Sequence, residues 1–102
     1  MSTITELNDG FRRTFAAGRV MMTSGVAALN SVTQLAVLTK VKGFDNFTKD
    51  DNPHGEHDFG SVEFEGETFF WKIDLYEEPS VKSKNREPVV TRVLTIMLAE
   101  EY

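Results

Sequence analysis

The sequence predicts an α+β fold: a small antiparallel sheet of about three strands packed by two or three helices, in the order α-β-α-β-β-α. Three observations carry that prediction. Apolar residues near the N-terminus recur at three- and four-residue steps. A sustained two-residue alternation runs through "SVEFEGETFFWKIDLY", residues 61–76. Turns rich in Gly, Pro and Asn separate the periodic segments. A length of 102 residues suits one domain, spanning 1–102, with no room for a second core.

The elements follow in order. Thr3 and Glu6 have the spacing of a capping box, in which each side chain satisfies a backbone N–H of the first turn. Ile4, Leu7, Phe11 and Phe15 then form one apolar stripe, and Gly18 supplies a stop. Arg12 and Arg13 lie off the stripe near the last turn, where cations suit the helix dipole. "RVMMTS", residues 19–24, is short and β-leaning and is closed by Gly25. Asn30 or Ser31 caps a second helix through Val32, Leu35, Ala36, Leu38 and Val41, ending near Gly43. Its apolar residues occupy more than one face, which predicts a well-buried helix.

Residues 44–58 read as a polar loop containing Asn52-Pro53 and His54-Gly55. In the hairpin that follows, Val62 and Phe64 alternate with Glu63 and Glu65, and the chain turns at Gly66. Phe69, Trp71, Ile73 and Leu75 then alternate with Phe70, Lys72, Asp74 and Tyr76. The outward Phe70 and Tyr76 leave aromatic surface that a helix covers or a partner binds, a homodimer included. Residues 77–88 read as a polar loop. The last segment is β-branched at first, yet Pro88 suits a helix start. Val89, Val90, Val93, Ile96 and Met97, followed by Glu100 and Glu101, favour a helix with one polar flank.

Composition narrows function. The chain is 40% hydrophobic and 26% charged, as in ordinary globular proteins. It has no cysteine, which removes disulfides, thiol catalysis and cysteine-ligated zinc, and suits a reducing cytoplasm. No run of about 20 apolar residues exists to span a membrane, and residues 1–6 lack the basic head and apolar block of a secretory leader. The formal charge is −5, which disfavours direct nucleic-acid binding. Residues 44–78 hold eleven acids against two bases, so the negative charge is concentrated there and the remainder of the chain is net basic. Such polarity steers association with a basic partner.

The stretch "NPHGEHDFG", residues 52–60, holds both histidines. His54, Glu56, His57 and Asp58 offer metal-ligand atoms, but all within five residues and not in H-E-x-x-H spacing. Asp45 or Glu101 would have to complete such a set. A calcium loop beginning at Asp50 fails at its twelfth position, which is Ser61 rather than Glu. The alternative is an acidic turn built by Pro53 and Gly55. Ser24 lacks a G-x-S-x-G elbow, and no glycine-rich phosphate loop is present. The run Phe69-Phe70-Trp71 would suit base stacking, yet its flanks are acidic.

Several strings occur together: "LNDGFRRTF", "GRVMMTSGVAAL", "FDNFTKDDNPHGEHDFG", "FWKIDLY" and "TRVLTIMLAEEY". Together they resemble a family of short bacterial proteins, a domain of unknown function frequent in alphaproteobacteria and often carried on plasmids and other mobile elements. The family motif matches at Asp51, Pro53, His54, Gly55, Glu56, His57, Asp58 and Gly60, and again at Trp71, Lys72, Asp74, Arg92 and Glu101. "EEPSVKSKNREP", after Tyr76, departs from the acidic, proline-containing insert of that family.

Charge layout and resemblance converge on a non-enzymatic acidic module that binds a basic surface of a host protein. One concrete form is an inhibitor of a nucleic-acid-targeting defence complex, of the anti-CRISPR or anti-restriction type. The expected contacts are Asp50, Asp51, Glu56 and Asp58 in the loop and Glu63, Glu65 and Glu67 on the hairpin, each accepting from Arg or Lys, with no cofactor. The alternative is a small metal-dependent enzyme on His54, Glu56, His57 and Asp58.

Overall fold

The computed structural model describes residues 3–47, 55–79 and 88–102. Helix α1 (Ile4–Thr14) opens with half of the expected capping box: the Thr3 hydroxyl accepts from the Glu6 N–H, while the Glu6 carboxylate accepts from that hydroxyl rather than from a backbone N–H. Strand β1 (Gly18–Met22), the short helix α2 (Ser24–Ala27) and helix α3 (Ser31–Lys42) follow. Asn30 caps α3 by accepting from the Thr33 N–H at 2.8 Å. Strands β2 (Phe59–Phe64), β3 (Glu67–Pro79) and β4 (Pro88–Leu98) complete the sheet, and a single 3-10 turn (Ala99–Glu101) ends the chain. This is an α+β fold.

The sheet has four strands in the order β1-β4-β3-β2. β2–β3 and β3–β4 are antiparallel, whereas β1 runs parallel to β4, so the sheet is mixed rather than wholly antiparallel. Residues 89–98 are therefore a strand, not the helix that their three- and four-residue spacings favour. The physical reason is position. β4 lies between β1 and β3, and both of its faces are apolar: Leu94 and Ile96 point to one side, Val93 and Met97 to the other, all buried. A strand buried on both faces loses its alternation and mimics a helical pattern.

All three helices pack on the face that carries Trp71, Phe69, Ile73, Leu94 and Ile96. Phe11 from α1, Val26 from α2, and Val37 and Val41 from α3 close that core. α3 contributes Val37 and Val41, fully buried, with Leu38 partly buried beside them. Val32 and Leu35, expected to be buried, are 73% and 65% exposed. Ile4 and Leu7 of α1 are also about half exposed, so its apolar stripe is buried mainly through Phe11. On the opposite face Phe70 packs against Phe59 at 5.5 Å and Tyr102 at 5.1 Å, while Tyr76 remains 53% exposed.

Gly60 is fixed by packing rather than by backbone conformation. It pairs with Trp71 across β2–β3, and a Cβ there would stand 2.7 Å from the indole ring. Trp71 is fully buried and meets the edges of Phe44 and Phe47 at 5.4 and 6.2 Å. Beyond the Leu75–Arg92 pair, where β1 ends, β3 and β4 continue alone as a two-stranded ribbon to Pro79 and Pro88.

Candidate functional site

The histidine stretch is best understood from Asp9, which lies 48 residues away in sequence. His57 Nδ1 stands 3.0 Å from both oxygens of the Asp9 carboxylate. A carboxylate only accepts, so Nδ1 carries the proton. Arg12 Nη2 donates to the same carboxylate at 3.0 Å. Through Nη1, Arg12 also donates to the carbonyls of Val41 and Lys42 in the last turn of α3, at 3.0 and 3.2 Å. The guanidinium is fully buried, 5.5 Å from the Phe47 ring centre and 5.4 Å from Trp71. Phe47 in turn stacks on His57, with centroids 3.8 Å apart and planes nearly parallel.

Neighbouring bonds hold the same segment. Asn8 donates to the Glu56 carbonyl at 3.0 Å and accepts from Arg92 Nε at 3.0 Å. Thr5 donates to the Gly55 carbonyl. The segment arrives in an uncommon conformation, since Gly55 and His57 have φ of 69° and 54°. A left-handed histidine costs about 1 kcal/mol or more, and the bonds to α1 offset it. Residues 55–58 are thus latched onto α1, and the chemistry on view here is structural.

Burial pushes the Asp9 carboxyl up, but the hydrogen bonds and positive charges of His57 and Arg12 pull it further down, below its ordinary range. The Glu101 carboxyl is also held low, first by the Thr23 hydroxyl at 2.6 Å and then by the Leu98 N–H at 2.9 Å. Its other oxygen accepts from the Gly25 N–H at 3.2 Å. Glu101 therefore ties the end of β4 to the start of α2, and a Cβ at Gly25 would collide with it. Groups with lowered folded pKa values stabilise the fold above the unfolded carboxylate range and lose that contribution as pH falls through the folded value. The urea midpoint is expected to drop below about pH 4, with a shallower acid limb in Asp9→Asn. An acid limb unchanged in that variant would remove Asp9 from the account.

The predicted contact residues divide into groups. Asp50, Asp51 and His54 lie outside the described residues. Glu56 and Asp58 have half-buried side chains at the α1 end of β2. Asp45 is exposed. Among the described residues, no three His, Cys, Asp or Glu side chains converge as metal ligands. Glu63, Glu65 and Glu67 are all exposed at the other end of β2, roughly 20 Å from Asp58 along the strand. Glu65 and Gly66 form the two-residue turn, with φ of 51° and 80°, the geometry of a type I′ hairpin. None of the three glutamates has an ion-pair partner among the described residues.

Beside this turn lies a cleft of about 220 Å3, lined by Leu29, Thr33, Phe64, Glu65, Glu67 and Phe69. α3, which supplies Thr33, exposes Val32 and Leu35 in the same turns of helix. Leu29, Phe64 and Phe69 give the cleft apolar walls beside the acidic tip. The hairpin acids are legible in the sequence, whereas the cleft beside them is not, because Leu29 and Thr33 meet the hairpin only in the fold.

A family profile described as "Protein of unknown function (DUF3768)" matches residues 22–101. The chain belongs to this family. Neither the curated proteins nor the solved structures yielded a match.

The DUF3768 match includes the hairpin, the cleft, Phe47, His57, Trp71, Arg92 and Glu101. It stops short of α1, so the Asp9 and Arg12 half of the latch lies N-terminal to the matched DUF3768 span. In the sequence, only the three-residue spacing of Asp9 and Arg12 hints at their pairing.

Proposed function

We propose that this chain is a non-enzymatic protein-binding module whose contact surface is the acidic hairpin tip together with the cleft beside it. The observation that carries the reading is an apolar cleft lined by two exposed glutamates, Glu65 and Glu67, that have no ion-pair partner among the described residues, with Glu63 exposed on the opposite face of the same hairpin end. Arg and Lys side chains of a partner would find acceptors at Glu63, Glu65 and Glu67, while an apolar anchor enters between Leu29 and Phe64. The latch narrows the earlier set, because Glu56 and Asp58 are half buried at the far end of β2.

The partner's class follows from charge: a basic surface such as proteins use to hold nucleic acid. Within the bacterial mobile-element setting that the sequence strings imply, this suits an inhibitor of a cytoplasmic nucleic-acid-targeting defence complex. No helix among the described residues is long and apolar enough to cross a membrane.

The test is affinity capture from a bacterial lysate with the wild-type chain and the triple variant Glu63→Lys, Glu65→Lys, Glu67→Lys. The partner is expected to be lost from the variant and to elute from the wild type as salt rises. Identical captured proteins, or capture insensitive to salt, would overturn the reading. A companion prediction concerns Glu65, which is not a preferred residue for its left-handed position. Glu65→Asn is expected to raise stability by about 0.5–1 kcal/mol in urea melts while weakening capture. A destabilised Glu65→Asn would show that the turn is not strained.

A further inference from the structure

The helix-free face of the sheet holds a second concavity, separate from the hairpin cleft. Its volume is about 340 Å3, and it is lined by Arg19 and Met21 from β1, Thr91, Val93 and Thr95 from β4, and Tyr76 from β3. Strand register explains why these side chains meet. Arg19 pairs with Val93, Met21 with Thr95 and Tyr76 with Thr91, so alternate residues of three adjacent strands project to one side.

The lining is chemically specific. Val93 is a buried apolar floor, and Met21 and Tyr76, 55% and 53% exposed, form low walls. Arg19 is exposed and has no ion-pair partner among the described residues. Among the described residues no carboxylate lines the trough; Asp74, across from Val93 on the same face, is paired with Lys72 at 3.4 Å. In a chain of formal charge −5, a concavity whose described lining holds one cation and no acid, and whose neighbouring Asp74 is already engaged by Lys72, favours an anion. The Thr91 and Thr95 hydroxyls make no side-chain hydrogen bond among the described residues and stand ready to donate. The volume lies at the lower end of the range for small-molecule sites.

We propose that this trough binds a small aromatic anion. The ring lies flat on Val93 between Met21 and Tyr76, and its carboxylate is taken by the Arg19 guanidinium, with a threonine hydroxyl completing the contact. A flat ring suits a shallow apolar floor walled by a tyrosine and a thioether, both of which favour aromatic contact.

The probe is naphthoate, titrated into the full chain and followed by amide-resolved NMR. Neutral naphthalenemethanol and aliphatic decanoate serve as comparisons. Saturable shifts are expected at Arg19, Met21, Thr91, Val93 and Thr95, with naphthoate binding about tenfold or more tightly than the alcohol. Arg19→Gln, in a chain whose other resonances are unchanged, should erase that difference. Absence of shifts at millimolar naphthoate, equal affinity for the alcohol, or an unaffected Arg19→Gln variant would overturn the anion site. Equal binding of decanoate would overturn the preference for a ring. Concentration-dependent dimerisation that protects these same amides without ligand would give the face to a second copy and overturn the proposal.

Discussion

Replacing Arg12 with methionine is expected to lower the free energy of unfolding by about 3–5 kcal/mol. A domain of this size has only about 5–15 kcal/mol in total. The guanidinium is fully buried, and four groups depend on it: the Asp9 carboxylate, the Val41 and Lys42 carbonyls, and the aromatic pair of Phe47 and Trp71. Methionine keeps much of the apolar stem but returns none of the hydrogen bonds, so the Lys42 carbonyl loses its donor and the Val41 carbonyl keeps only backbone N–H groups such as that of Phe44. Arg12→Lys keeps the charge yet cannot span Asp9 and two carbonyls with a planar fork, and should also be destabilised, though less. Urea melts at neutral pH decide it. An Arg12→Met variant within about 1 kcal/mol of wild type would show that burial of the stem alone holds α1 in place.

That prediction bears on function because it separates two kinds of charge in an acidic chain. Asp9 is consumed by Arg12 and His57 inside the fold, and Glu101 by Thr23, Gly25 and Leu98 at the end of the sheet. Glu63, Glu65 and Glu67 have no such obligations among the described residues. Carboxylates already engaged by the fold have little to offer a partner, whereas unengaged ones retain their acceptors. The hairpin tip is therefore where the proposed binding is tested, and the latch is the place to mutate for stability.

Local chemistry was legible in the sequence, and long-range chemistry was not. The Thr3 cap, the Asn30 cap and the hairpin turning at Gly66 are set by residues within a few positions of each other. α2, four residues long, falls below the length at which apolar periodicity registers. In the sequence Arg12 lies off the apolar stripe where a cation suits the helix dipole, and only the fold reveals that Asp9, Phe47 and Trp71 enclose it. His57 offered the same difficulty, since its partner Asp9 is 48 residues away. For residues 89–98 the composition held the missing discriminator: Val89, Val90, Thr91, Val93, Thr95 and Ile96 are all β-branched. β-branched side chains lose rotamer freedom in a helix and fit a pleated surface, so they outweigh a coincidental three-four spacing.

Gly60→Ala is expected to cost about 1–3 kcal/mol, far more than an added methyl usually costs on a strand. The new Cβ would stand 2.7–2.8 Å from three atoms of the Trp71 indole. That ring cannot retreat freely, because Phe44, Phe47 and Arg12 lie against it in a fully buried site. Trp71→Phe, made alone, should also destabilise, through the cavity left by the smaller ring. Combined, the two changes should cost less than their sum, since each relieves the misfit that the other creates. Thermal or urea melts of the four proteins in the cycle measure that coupling directly. Additive losses would mean that the glycine is required by the β2 backbone and not by the indole. A coupling of about 1 kcal/mol or more would identify Trp71 as the reason for a glycine there.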